Sequence, residues 1–261
     1  MALARSAKDA DANIVYIAYD LEATGLDTNT DSIVEFSASV LIPPGEHSAA
    51  FSASKLYCVN SRIKPTSVGW HMNVAASQVT GIKDSDLKAS PCFGDVWAQC
   101  FVPMVKRYVS DWKHEHDLAE DKHVPIVLRL VGHNSRRFDD MLLLTELQRA
   151  FPGQSPRNLI RAQFGEQIKF TFCDTMIAAS LAWPACNRPM RDLKLCTLYA
   201  WHTGTELRDA HSAFADCIAV AQLLNCEQIA KYLVFSLTTV SQLSDKHGLA
   251  TACAREKKRK R

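Results

Sequence analysis

The sequence lacks the features that mark several whole classes of protein. No uninterrupted apolar run reaches the roughly 18 residues of a membrane-spanning helix, and the opening MALARSAKDADAN has no apolar core of the kind a secretory leader carries. A soluble, intracellular protein with no membrane partner is therefore expected. The nine cysteines are an odd number and none pair as CxxC, so neither a disulfide framework nor a zinc ribbon is indicated. They are expected to be mostly reduced and buried, as small apolar residues. There is no internal repeat, no low-complexity stretch before the last residues, and no linker that splits the chain.

What the chain does have is enough apolar material for one large α/β domain, 261 residues at 47% hydrophobic. Its formal charge of +2 hides an asymmetry: residues 255–261, REKKRKR, carry a net +5, so the rest sums to −3. Such an end reads as a nuclear-import signal, an arm for nucleic acid, or a solvated tail.

Asn13 to Tyr19 reads as a buried strand, being short, β-branched and aromatic, with Gly25 and Asp27 marking a turn soon after. Ser32 to Leu41 is a second strand stopped by Pro43-Pro44-Gly45, and Tyr57 to Ile63 a third. Short connections between the three predict an antiparallel start. Residues 64–91 read as loop with short helical turns. Ser90-Pro91 is expected to open a helix, since Phe93, Val96, Trp97, Cys100, Phe101, Met104, Val105 and Tyr108 recur at helical spacing.

Residues 110–124 are charged and weakly periodic, and an exposed connection is expected there; the histidines flanking Glu115 fit a solvated loop better than a metal site. A strand at Pro125–Val131, a helix at Phe138–Arg149, a strand at Gln167–Cys173 and then two or three helices, the last at Ala213–Leu233, complete the pattern. Strands first, then alternating helices and strands, predict a mixed five-stranded sheet covered by helices.

The segment YIAYDLEATGL puts Asp20 and Glu22 at i and i+2 at the end of the first strand. If the strand persists through them, both point to one face with Cα atoms roughly 6.6 Å apart. Two carboxylates so placed can share a pair of metal ions, although a DxE pair alone also fits an exposed strand edge. Further acids recur at the ends of apolar elements. Asp139 and Asp140 follow PIVLRLVGHN at a strand-to-helix junction, where a helix dipole favours acids. Asp216 lies among Phe214, Cys217, Ile218 and Val220, and a lone carboxylate there is costly unless a cation offsets it or the face is exposed. His211 stands five residues before Asp216, about 140° away on a continuous helix, so the two converge only if His211 precedes the helix. In that place it can act as a general base near neutrality, or simply cap the helix.

Together YDLEATGL, GHNSRRFDDMLL and AHSAFADC resemble the three motifs of the DEDDh 3′–5′ exonucleases, which have an RNase H-like fold, and among these they most resemble the three-prime repair exonucleases. VTGI at 79–82, CDT at 173–175 and DLKLCTLYAWHTG before the histidine are similar to further landmarks of that family. The resemblance spans roughly residues 13–230. It implies an RNase H-like domain over 13–235, preceded by a disordered 1–12 and followed by an extension, 236–254, and the basic tail.

It also implies that Asp20, Glu22, Asp139 and Asp216 bind two Mg²⁺ or Mn²⁺ ions, one helping to generate the attacking hydroxide and both stabilising the scissile phosphate and the leaving 3′ oxygen. Asp139, six residues from His133, matches the motif-two acid by counting, with Asp140 as the competing assignment. His211 is implied as general base. The backbone at Ala23 and Thr24 is implied to approach the terminal nucleotide, and Leu26 to pack on its base, a contact that tolerates any base. The implied partners are 3′ ends of single-stranded or frayed DNA and a second copy of the chain across a sheet edge. An exoribonuclease and a non-catalytic nucleic-acid-binding module are the alternatives. No counterpart of the proline-rich interaction loop or the long membrane-anchoring extension of some relatives is expected from this sequence.

Overall fold

The computed structural model of the chain describes residues 13–42, 52–117, 124–185 and 191–244. The N-terminal 1–12, the Pro43-Pro44-Gly45 stop and the basic tail all lie outside the described residues. No helix among the described residues is long and apolar enough to cross a membrane.

Three long strands open the fold: β1 (Asn13–Ala23), β2 (Ile33–Ile42) and β3 (Ser52–Arg62). They pair antiparallel in sequence order. β1 runs four residues past the predicted Tyr19, carrying Asp20 and Glu22 within the ladder. Two short helices follow, α1 (Val74–Thr80) and α2 (Asp84–Leu87), in the segment read as loop with helical turns.

The next helix starts at Phe93, not at Ser90-Pro91: α3 (Phe93–Val96), a π-helical turn at Trp97–Phe101, and α4 (Val102–Glu115) run end to end. The Pro91 carbonyl is taken by the Lys64 N–H, which keeps that residue outside the helix. The π turn sits just before Pro103, whose ring conflicts with an ordinary α-helical carbonyl four residues back, so the backbone widens there. α4 continues to Glu115, so the first six residues of the charged stretch read as a connection are helix. The acids and bases of that stretch occupy the solvent side, where periodicity of apolar residues carries no signal.

β4 (Ile126–Gly132), a 3₁₀ turn (Ser135–Arg137), α5 (Asp139–Ala150), α6 (Pro156–Phe164), β5 (Ile168–Asp174), α7 (Thr175–Ala182) and α8 (Leu195–Thr203) follow. α9 (Ala213–Leu223) ends ten residues earlier than expected: Asn225 and Cys226 close it with tight bonds back to Gln222 and Leu223, and α10 (Glu227–Ala230) resumes as a separate turn. β6 (Thr238–Thr239) makes the sheet six-stranded among the described residues rather than five, in the order β3-β2-β1-β4-β5-β6, with β4 and β5 parallel to β1 and β6 antiparallel to β5. Val240 and Leu243 are buried, so the fold continues past residue 235, the expected end of the domain.

β1 is the strand on which the molecule is organised. Ile17, Tyr19 and Leu21 point into one apolar layer, shared with α3, α4, α5 and α6, while Tyr16 and Ala18 point into the other, beneath α7, α8 and α9. Strand alternation then puts Asp20 and Glu22 on the Ala18 face, the face that α9 covers. The Cys217 thiol donates to the Ala18 carbonyl at 3.2 Å, pressing α9 onto β1.

Candidate metal centre and nucleic-acid site

Three chain segments converge at the carboxyl ends of β1 and β4. Side-chain oxygens of Asp20, Glu22 and Asp216 lie within 4.8 Å of one another. Asp20 and Glu22 come from consecutive same-face positions of β1, and Asp216 from the first turn of α9. His211 precedes that helix, as convergence requires: it lies in a turn with φ +68°, and its backbone N–H donates to Asp216 Oδ2 at 3.1 Å. A left-handed backbone at a histidine is uncommon and is held here by that bond. The imidazole is exposed.

Asp139 is the first residue of α5, delivered over the sheet end by a turn in which Asn134 is left-handed (φ +57°). Its carboxyl is not among the three clustered ones, yet it is close enough to raise the pKa of both Asp20 and Glu22. Asp140 faces away from them. It is buried and accepts a hydrogen bond from the Tyr19 hydroxyl. The turn is pinned by Asp174, the middle residue of CDT, which accepts the N–H groups of Asn134 (2.9 Å) and Arg136 (3.2 Å) as well as that of Met176 (2.8 Å) at the start of α7. Gly132 is required at the end of β4, because a Cβ there would lie 2.5 Å from Ser135 Cβ.

Electrostatics show what the cluster lacks. Burial, followed by Asp139, Asp216, Glu22 and Glu35, holds the Asp20 carboxyl well above the usual range. Glu22 is pushed up to about 8 by burial, Asp216, Glu35 and Asp139, against a smaller opposing effect of Arg62. Asp139 is raised to about 8 by burial and then by Asp140. Burial raises Asp216 too, although the His211 N–H and the His211 side chain pull it down. Asp216 Oδ1 is buried with no hydrogen-bond partner. An orphaned carboxylate oxygen facing two further carboxyls is what a divalent cation relieves, and all-oxygen ligands suit Mg²⁺ or Mn²⁺. The residues present fit such ions. Among the described residues no other group of acids, histidines or cysteines is so placed, and the histidines flanking Glu115 form no such group.

Beside Glu22 lies a cavity of about 380 Å³, largely apolar, walled by Ala23, Gly25 and Leu26 on one side, Asn73, Ala76 and Val79 of the α1 region on another, and Phe138. That size falls within the roughly 300–1,000 Å³ of small-ligand sites. Leu26 is 88% exposed at its mouth. Thr24 turns inward instead: its hydroxyl donates to Asp31 at 2.8 Å, its N–H pairs with the Ser32 carbonyl and its own carbonyl with the Asn73 N–H. Arg149 of α5 fastens the same loop, donating to the Asp31 and Asn29 carbonyls. Phe138, Asn73 and Val79 were not singled out from the sequence as site residues. The Phe138 position within GHNSRRFDD and the VTGI segment were the available signals.

The sequence matches no family model and none of the curated proteins. Among solved structures it is similar to exonuclease I of E. coli. The zinc-bound form of its complex with single-stranded DNA superposes with a TM-score of 0.52 at 17% identity, over 82% of this chain and 40% of that one. The complex with a dT13 oligonucleotide gives 0.54 at 20% identity, over 83% and 42%. A third structure of exonuclease I gives 0.55 at 19% identity, over 85% and 44%. The fold is RNase H-like. This chain spans well under half the length of those proteins.

Proposed function

We propose that the protein is a metal-dependent 3′–5′ exonuclease that releases nucleoside 5′-monophosphates from 3′ ends of single-stranded or frayed DNA. The observation that carries this reading is the meeting of Asp20, Glu22 and Asp216 within 4.8 Å on a fold shared with exonuclease I, which is known in complex with single-stranded DNA.

In this reading Asp20, Glu22, Asp139 and Asp216 hold two divalent cations, Mg²⁺ or Mn²⁺. When bound, such ions supply Lewis-acid stabilisation of the charge that builds on the phosphate and on the leaving oxygen. The chain's own residues do the rest. The His211 imidazole, at the solvent edge of the cluster, takes the proton of the attacking water. The cavity wall of Ala23, Leu26, Val79 and Phe138 receives the terminal base by apolar contact, which discriminates little among bases. Asp139 is preferred to Asp140 as ligand because Asp140 is already engaged by Tyr19 on the far side. A homodimer across β3, the outermost strand among the described residues, belongs to the same proposal and is checked by sedimentation.

The test uses 5′-labelled DNA and RNA oligonucleotides with Mg²⁺, Mn²⁺ or EDTA. A ladder shortening from the 3′ end of DNA, abolished by EDTA, is expected. Preference for RNA moves the assignment to an exoribonuclease, and intact oligonucleotides of both kinds leave a binding module.

A further inference from the structure

We infer that Glu35 is a positioning residue of the metal centre, one that sets α9, and with it Asp216 and the His211 turn, in place against β1; the inference rests on the nuclease reading above. Glu35 is the third residue of β2, directly across from Glu22 in the β1–β2 ladder and from Arg62 in the β2–β3 ladder. Directly opposed residues have Cβ atoms about 4.5–5.5 Å apart, so the three form a row on the face that carries the acid cluster. Glu35 is only 6% exposed.

The two carboxylate oxygens have separate tasks. Oε1 pairs with Arg62 Nε at 3.1 Å. Oε2 accepts the backbone N–H of Ala213 at 3.1 Å, a bond between residues 178 positions apart in sequence. Ala213 is the first residue of α9, and its N–H is one of the four donors that a helix start leaves without a partner inside the helix. Ser212 occupies that capping position and makes no side-chain cap bond. The start of α9 is thus registered by a strand residue of the sheet. Asp216 lies one turn further along the helix, with His211 just before it.

This placement matters because ligand groups must be held within about 0.5 Å of their working geometry, and supporting hydrogen bonds provide that precision. Arg62 explains why an extra acid is tolerated beside Glu22. Its planar guanidinium balances Glu35 from the β3 side while half exposed itself, leaving the cluster face to the other carboxyls.

The test compares wild type with Glu35→Ala, Glu35→Asp and Glu35→Gln. Glu35→Asp keeps the charge but withdraws the carboxylate by one methylene from Ala213. Glu35→Gln keeps an acceptor oxygen at full reach. Three quantities are read: Mn²⁺ affinity by calorimetry, kcat and KM on a single-stranded oligonucleotide, and metal-free amide hydrogen exchange across 213–217. Glu35→Ala and Glu35→Asp are expected to lose Mn²⁺ affinity and kcat by about 10- to 100-fold with KM unchanged, and to exchange faster at the start of α9. Glu35→Gln should restore the protection and most of the affinity. Wild-type affinity and kcat in Glu35→Asp, or a Gln variant no better than Ala, overturns the inference. Should wild type neither cleave DNA nor bind Mn²⁺, the nuclease reading fails by itself. The exchange measurement still decides the anchoring, and unchanged protection in Glu35→Asp refutes it.

Discussion

Without metal, the acid cluster should make the protein less stable as pH rises through neutrality, which is the reverse of the usual behaviour of carboxylates. Glu22 and Asp139 are each raised from the ordinary range to about 8 in the folded chain. Their native forms therefore bind protons that the unfolded chain has already released. The slope of unfolding free energy with pH follows the protons bound unfolded minus those bound native, so it is negative between the unfolded and folded values. His133 works the other way, since burial lowers it and its contribution to stability is lost on acidification below about pH 6.5. The clean window is therefore about pH 6.5 to about pH 8.

Over those 1.5 units, at about 1.4 kcal/mol per proton per unit and with the native proton half gone by the end, Glu22 alone accounts for a loss of about 1.5 kcal/mol. Asp139, held up by burial and by Asp140, releases its proton in the same direction and deepens the fall, and the Glu22 loss alone corresponds to roughly 3–6 °C in Tm for a chain of this size. Thermal unfolding in EDTA across the window measures it. Mg²⁺ or Mn²⁺ binds the deprotonated carboxylates, so the gap between metal-loaded and metal-free Tm should widen over the same window. A metal-free Tm that is level or rising from pH 6.5 to 8 would refute the electrostatic account of the site.

Five substitutions probe other parts of it. Asp20→Asn should abolish nuclease activity while raising the metal-free Tm, because it removes an acid whose ionisation burial and its neighbouring carboxyls oppose; wild-type turnover would remove Asp20 from the centre. His211→Ala should keep Mn²⁺-induced stabilisation and lose about 10²- to 10⁴-fold in kcat, read by parallel melting and steady-state assays. Asp139→Asn should weaken Mn²⁺ binding, whereas Tyr19→Phe, which leaves the buried Asp140 without its donor, should cost about 1–3 kcal/mol of stability with metal affinity retained. Gly132→Ala should cost about 1–3 kcal/mol or more in denaturant unfolding, since its Cβ meets Ser135 Cβ at 2.5 Å.

Much of the centre was legible because its residues interrupt otherwise regular patterns. Asp20 and Glu22 end an apolar strand, and Asp216 breaks an apolar helix. The structure brings these three together, and puts His211 in a turn ahead of α9 as their spacing demanded. Glu35 was not legible, because a polar residue in an alternating strand looks like any solvent-facing one and its partner is 178 residues away. α6 was missed although Ser155 caps it and Pro156 opens it, a signal that was present in the chain. The end of α9 was overrun because the apolar residues after Leu223 keep helical spacing while the backbone does not. β6 is two residues long, too short for alternation to show.

The position of β1 divides the centre into halves of unequal permanence. Asp20 and Glu22 belong to a strand bonded to β2 over Ile17–Ala23 and to β4 over Asn13–Ala18, with apolar layers on both faces. Their half of the site opens only when the whole domain does. The His211 turn is solvent-exposed, has a left-handed backbone at Asp209 as well as His211, and lies between two helices. That half belongs to the part of a fold that opens at low free energy. Under the proposed nuclease reading, proton transfer should therefore fail on warming before cation binding does, leaving a state that holds its ions, melts cooperatively, and no longer cuts.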